Sequence, residues 1–190
     1  ADEWKVPIIE DAAHAVGASY KGTQIGDLSE FTMFSFQAIK HLTTGDGGML
    51  MLKDSSLLEK AKRVRWFGID RGAKQGGIWE NDIVEIGYKY QMTDVAAAMG
   101  LAALEDLDSA LSHRKELFGL YRKGLADVSG VEFLDGNRND RVHAAWLCTI
   151  MTDFGKDLQT KLAENGIESN QVHFRNDRYT IFKEFTKNVE

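Results

Sequence analysis

Short apolar runs alternating with helical periodicity constrain this 190-residue chain more than any other feature. Val6–Glu10, Phe31–Phe36 and Gly48–Leu52 read as strands, the second rich in aromatics. Leu57–Trp66 reads as a helix, with Leu57, Leu58, Ala61 and Val64 at steps of three and four. Strands and helices in alternation build a layered α/β domain. The stretch Gly68–Gly87 breaks the pattern with five glycines and little periodicity, so an irregular excursion or a hairpin is expected there. Thr93-Asp94 then offers a helix N-cap. Val95, Met99, Ala103, Leu107 and Leu111 follow at steps of four, and Leu117, Leu120 and Leu125 extend the run until Gly130. That spacing predicts one long helix, either linking two lobes or packed as an ordinary core helix. Beyond it lie a strand Val131–Leu134, a polar turn Asp135–Arg141 and a strand Ala144–Met151. A helix Lys156–Glu164 closed by Asn165-Gly166 and a strand Ile167–Phe174 complete a smaller α+β segment.

Composition narrows the partners. The net charge of −6 sets the average surface against a nucleic-acid backbone or an anionic membrane. A hydrophobic fraction of 43% is too apolar for a disordered chain. The lone Cys148 rules out an intrachain disulfide and suits a reducing compartment, and its neighbourhood offers no metal-ligand spacing. No run approaches the roughly 18 apolar residues of a membrane span, and no basic segment followed by an apolar one marks a secretory signal. A cytoplasmic protein is expected. The chain opens Ala1-Asp2-Glu3 without an initiator Met, and Phe182–Glu190 shows no closing cap, so both ends read as cut.

Three patterns within the first fifty residues carry chemistry. Asp11-Ala12-Ala13-His14 follows a strand, Ser35-Phe36-Gln37-Ala38-Ile39-Lys40 ends another, and Thr43-Thr44-Gly45-Asp46-Gly47-Gly48 leads into the next. In a parallel α/β sheet the carboxyl ends of strands share one edge, where ligands bind. Asp11, Ser35 and Lys40 are therefore expected to converge. The trio meets the needs of pyridoxal phosphate: a lysine to hold the cofactor as a Schiff base and later move a proton, and a carboxylate to keep the pyridine nitrogen protonated. A hydroxyl binds the phosphate, and a ring donor such as His14 fixes tautomer and tilt. Singly, each has a plainer reading. Asp11 is then a turn residue, Ser35 a small strand residue, Lys40 a solvated surface lysine and Gly45–Gly48 a plain turn.

In their order and spacing these residues resemble a known family. I-E-D-A-A-H-A, then G-D-L-S-E-F-T-M-F-S-F-Q-A-I-K-H-L-T-T-G-D-G-G-M-L, is similar to the DegT/DnrJ/EryC1/StrS sugar aminotransferases, and G-Y-K-Y-Q-M-T-D-V-A-A-A-M-G-L-A-A-L from Gly87 to Leu104 resembles that family's second hallmark. The resemblance runs from about Pro7 to Phe174. It implies the aspartate-aminotransferase-like α/β fold, a pyridoxal-phosphate-dependent transferase of fold type I. Residues 1–91 would be the later part of the large domain, 92–128 an interdomain helix region and 129–190 part of a small C-terminal α+β domain. It also implies a homodimer with shared active sites, transferring an amino group from a donor, usually glutamate, to a nucleotide-linked keto-sugar in amino-sugar or polysaccharide biosynthesis. By position Lys40 becomes the Schiff-base lysine, Asp11 the partner of the pyridine nitrogen, Ser35 a phosphate ligand and His14 a neighbour of the cofactor ring. Lys89 stands where many members have an Asn that reaches the phosphate of the neighbouring subunit.

Some positions depart from the family pattern. Gln37 replaces a common His, and His41 replaces the Asn common after the lysine. The presence of Lys40 disfavours the dehydrating branch, which has a histidine there. His173-Phe174-Arg175 with Arg178 is a candidate for a donor carboxylate or a sugar phosphate, or simply a solvated basic strand end. Trp79 is expected to approach a neighbouring subunit's active site. Two other readings stay open: a truncated, non-catalytic piece that folds by self-association, and another fold type I enzyme such as a cysteine desulfurase.

Overall fold

The computed structural model describes residues 1–77, 80, 82–134 and 138–188. Contacts divide the chain into two compact units, Ala1–Leu120 with Arg138–Trp146, and Tyr121–Asn137 with Leu147–Glu190. The segment Arg138–Trp146, late in the chain, thus packs with the early residues.

In the first unit, β1 (Ile9–Asp11) pairs parallel with β4 (Phe31–Ser35), and β4 pairs antiparallel with β5 (Gly48–Leu52). Between them sits a hairpin of β2 (Ser19–Tyr20) and β3 (Thr23–Gln24), turned by Lys21 and Gly22, both in the left-handed region. Two such residues make the tight turn that suits the right-handed twist of a hairpin. The predicted strands at 31–36 and 48–52 form nearly as expected. The third strand, however, runs against the other two, so the sheet is mixed. Thr32, at the middle of β4, is fully buried and lies within 3.5 Å of Glu10 Oε2, which also accepts from Ser29 Oγ at 3.2 Å.

α1 (Leu58–Arg65) follows a single turn whose N-cap, Asp54, accepts from the Ser56 amide. The excursion holds a short α2 (Arg71–Gln75) and is pinned at its neck. There Phe67 N–H donates to Tyr88 O, Tyr88 N–H to Val64 O, and Arg63 pairs with Glu85 at 2.6 Å. Trp79 lies outside the described residues.

The long helix expected after Thr93 is two helices. α3 (Asp94–Glu105) starts at the predicted cap, with Thr93 Oγ1 accepting from Ala96 N–H. It stops at Asp106, whose carbonyl then accepts the Ala110 amide to start α4 (Leu107–Leu125). Aspartate suits a helix start better than a helix interior, and Asp106 and Asp108 meet the new N-terminal dipole. Leu111 of α4 is buried against Gly17. β7 (Arg141–Val142) pairs with β2, so Arg141 of the expected turn is strand, while residues 135–137 of that turn lie outside the described residues; of the expected strand Ala144–Met151 only Ile150–Met151 forms. Ala145, in the left-handed region at φ 54°, breaks it.

In the second unit β6 (Glu132–Phe133) pairs antiparallel with β8 (Ile150–Met151), and α5 (Gly155–Glu164) ends at Asn165-Gly166 as predicted. Arg122 lies over the Phe133 ring at 5.0 Å. The predicted strand Ile167–Phe174 pairs with no strand among the described residues and is irregular, with Ile167, Val172 and Phe174 exposed. Among the described residues no helix is long and apolar enough to cross a membrane.

His41 follows Lys40 and is half-buried. Its Nε2–H donates to Val16 O at 2.8 Å, leaving a buried Nδ1 without a partner. Burial holds this imidazole below its ordinary value of 6.5; the Val16 hydrogen bond opposes the shift, and the Arg114 and Lys40 cations add to it. The unfolded chain therefore binds a proton that the folded chain resists. The stability contributed by neutral His41 is present above the ordinary value and drains away as pH falls below it. Thermal melts between about pH 7.5 and 5.5, where the carboxylates stay ionised, should show Tm falling for the parent and a flatter profile for His41→Gln. Equal slopes would contradict a neutral, buried His41.

Two glycines separate backbone strain from packing. Gly17 and Gly22 share φ +80°, but a Cβ at Gly17 would meet Leu111 Cδ1 at 2.3 Å, whereas Gly22 faces open space. Gly22→Ala should cost only the left-handed backbone, about 1 kcal/mol, and Gly17→Ala roughly 2–4 kcal/mol because it also overpacks a buried leucine. Urea unfolding midpoints of the two variants measure the difference.

Candidate functional site

Asp11 is the last residue of β1, opposite Met33 of β4, and the Ala12 amide donates to Met33 O at 2.8 Å. Asp11 Oδ1 accepts the Ala13 amide at 3.1 Å, a local turn that lifts the chain off the sheet edge. The carboxylate stays exposed, with Oδ2 carrying no hydrogen bond from the turn. The turn delivers His14 to the surface.

Ser35 ends β4 beside Gly48, and its hydroxyl accepts the Gln37 amide at 3.3 Å. Because β1 and β4 are parallel, Asp11 and Ser35 share the carboxyl edge, as their positions in sequence predict. Buried Phe36 anchors the loop that follows: its amide donates to Gly47 O, and its carbonyl accepts from the Thr44 amide and the Thr43 hydroxyl. Within that loop the Lys40 amide donates to Gln37 O at 2.9 Å, and the Ile39 amide to Gln37 Oε1 at 3.2 Å. The glutamine at position 37 therefore has a structural role: it braces the turn that carries the lysine.

The Lys40 ammonium lies 3.8 Å from the ring centre of Trp146, and the His14 ring centre lies 3.9 Å from the same indole at an interplanar angle of 33°. Trp146 Nε1–H donates to Ile39 O at 3.0 Å. Sequence reasoning passed over Trp146, because it lies over a hundred positions from the lysine loop, within an apolar run that reads as one strand. What brings it there is the pairing of Arg141–Val142 with β2, which apolar spacing does not reveal.

Asp11, His14, Ser35 and Lys40 thus belong to one edge of the first unit. Lys89 stands on a different support: it bridges to Trp66 at the end of α1, and its ammonium lies 3.8 Å from the Trp66 ring centre. An open groove of about 480 Å³, lined by Phe67 and Ile83–Gly87, adjoins the excursion's neck rather than Lys40. In the second unit Arg175 makes a two-point contact with Asp177, at 3.0 and 2.9 Å, so its guanidinium fork is engaged within the chain. That weighs toward the structural reading of the His173–Arg178 patch. Among the described residues no cluster of His, Cys, Asp and Glu is arranged to hold a metal ion.

Chemically the edge offers an amine on a braced loop, an exposed carboxylate, a hydroxyl and an imidazole. These groups suit pyridoxal phosphate: a carboxylate for a pyridinium, an amine able to bond an aldehyde, and uncharged or cationic donors for phosphate and phenolic oxygens.

Comparison with known proteins agrees. The model of the DegT/DnrJ/EryC1/StrS aminotransferase family matches residues 1–189. A UDP-4-amino-4,6-dideoxy-N-acetyl-beta-L-altrosamine transaminase of Campylobacter jejuni is 37% identical over 123 residues, 65% of this chain and 32% of that protein. The crystal structure of AtS13 from Actinomadura melliaura superposes with a TM-score of 0.87 at 38% identity, covering 96% of this chain and 50% of that one. The Streptococcus pneumoniae protein named Putative sugar aminotransferase Spr1654, in its PMP-form, gives a TM-score of 0.85 at 31% identity, covering 95% of this chain and 48% of that one. The chain spans half or less of each of these relatives, and its architecture is the corresponding part of their α/β fold type I. The chain belongs to the DegT/DnrJ/EryC1/StrS aminotransferase family.

Proposed function

We propose that this chain is the lysine-bearing part of a pyridoxal-phosphate-dependent enzyme that transfers an amino group, with glutamate as donor, to a nucleotide-linked keto-sugar. One observation carries the reading. A braced lysine loop and an exposed aspartate share the carboxyl edge of two parallel strands in a chain whose family is an aminotransferase family. The names of its relatives support the substrate class, since the Campylobacter protein is a transaminase of a UDP-linked amino sugar. The PMP-form of the Streptococcus protein supports the cofactor.

When bound, pyridoxal phosphate supplies the electron sink and the amino-group carrier. The chain's residues do the rest. Lys40 Nζ holds the cofactor covalently and, once released, takes and returns a proton as a base. The Asp11 carboxylate keeps a positive charge on the pyridine nitrogen. The Ser35 hydroxyl donates to the phosphate, and His14 orients the ring. Lys89 pairs with the phosphate bound in a neighbouring subunit, a cation meeting a dianion.

We assign the parts as in the family: a large cofactor domain up to about residue 91, a helix region, and a partial small domain from about 129. A homodimer is supported by the apolar exposure of α3, whose Val95, Met99, Leu101 and Leu104 are each about half exposed or more. Lone Cys148 fits a cytoplasmic setting.

Borohydride reduction in the presence of pyridoxal phosphate, followed by peptide mapping, should place a phosphopyridoxyl label on Lys40, and Lys40→Arg should abolish it. Absence of label in the parent would instead favour a non-catalytic piece that self-associates. Asp11→Asn removes the charge from one charge-assisted hydrogen bond, and cofactor affinity should fall roughly 10–100-fold. Titration of cofactor absorbance measures the loss.

A further inference from the structure

Trp146 touches the lysine, the residue before it and His14, yet none of the roles above uses it. How it gets there is specific. β7 pairs with β2 through Ser19–Val142 and Tyr20–Arg141, and the Lys21 amide ties the hairpin turn to Asp140 O. The His143 ring stacks on Phe118 of α4 at 5.2 Å, and its Nδ1 accepts the Ala145 amide at 2.9 Å. Ala144 and Ala145 are buried, and Ala145 holds a left-handed backbone that alanine rarely adopts. Such a conformation persists only where its surroundings fix it, and it is concentrated at sites where geometry matters.

We infer that Trp146 is a positioning residue for Lys40. Its indole N–H fixes the Ile39 carbonyl, and its ring holds the lysine ammonium 3.8 Å from its centre. A flexible four-carbon side chain is thereby confined near one position, next to the residues assigned to the cofactor. The contact itself does not require the cofactor reading. Its consequence, readier capture of pyridoxal phosphate by Lys40, rests on that reading.

Two measurements on the 190-residue chain separate the two. Without cofactor, trace acetylation with acetic anhydride and peptide mapping gives the reactivity of Lys40 relative to exposed Lys60. Losing the cation–π contact should raise that ratio roughly 5-fold in Trp146→Ala, with Trp146→Phe in between. With cofactor, the pyridoxal phosphate concentration for half-maximal borohydride-trapped label on Lys40 should rise by a similar factor in Trp146→Ala and partly recover in Trp146→Phe. Circular dichroism melts identify variants that are folded, and if Trp146→Ala is not, Trp146→Phe and Trp146→Leu carry the comparison. An unchanged Lys40-to-Lys60 ratio in a folded variant overturns the inference, and so does equal trapping across all variants. If the parent takes no label on Lys40, the cofactor reading fails, and the acetylation ratio still decides whether Trp146 holds the lysine.

Discussion

The parallel pairing of β1 with β4 is the constraint on which the rest of the site depends. Its register sets Asp11 opposite Met33, and the Ala12 amide continues the ladder by one bond to Met33 O. A one-residue slip would turn every side chain of β1 to the other face of the sheet. Asp11 would then leave the edge to which Ser35 belongs, and the turn through Ala13 would no longer lift His14 toward Trp146. Fully buried Thr32 helps hold that register, since its hydroxyl lies near Glu10 Oε2, which also accepts from Ser29. A polar tie inside a sheet is costly to break, and it penalises alternative pairings.

The site is stabilised by hydrogen bonding more than by a large core. Few large apolar side chains are buried among the described residues, Phe36, Leu42 and Leu111 being the bulkiest. Phe36 is the hub: its side chain is buried, while its amide and carbonyl tie Thr43, Thr44 and Gly47 into one loop. Meanwhile Ile9, Met33, Met49, Leu50 and Met51 of the sheet stay substantially exposed, as does most of α3. Exposure on that scale is unusual for an isolated soluble unit. It fits a chain that spans about half or less of the length of its relatives, and it supports a shared interface in the proposed enzyme.

Much of this was legible in the chain because local chemistry decided it. β4 and β5 follow from dense apolar runs bounded by turn residues, α3 starts at Thr93 because that hydroxyl caps it, and α5 stops at Asn165-Gly166. That Asp11 and Ser35 end neighbouring strands, with Lys40 in the loop that follows, was readable because the apolar runs stop there. What sequence could not supply was non-local. The break at Asp106 depends on a competition between helix interior and helix start that apolar periodicity does not record. The placement of Trp146 depends on β7 finding β2, a pairing across more than a hundred residues. Lys89 is placed by its bridge to Trp66, which no spacing reveals.

That non-local pairing has a consequence for the lysine loop. Three consecutive residues are tied to two distant places: the Ile39 carbonyl and the Lys40 ammonium to the Trp146 indole, and the His41 imidazole to the Val16 carbonyl. Val16 lies in the loop that leaves β1 after Asp11, so the carboxylate and the amine are linked through His41 as well as through the sheet. Ordering a lysine side chain costs up to about 2 kcal/mol of rotamer entropy. A loop already held at its backbone and at its amine has met part of that cost before any ligand arrives, which is how preorganisation raises affinity without adding a contact to the ligand. The buried, neutral His41 and the strained Ala145 are then two parts of one arrangement. Each gives up some stability locally to hold the segment that carries Lys40.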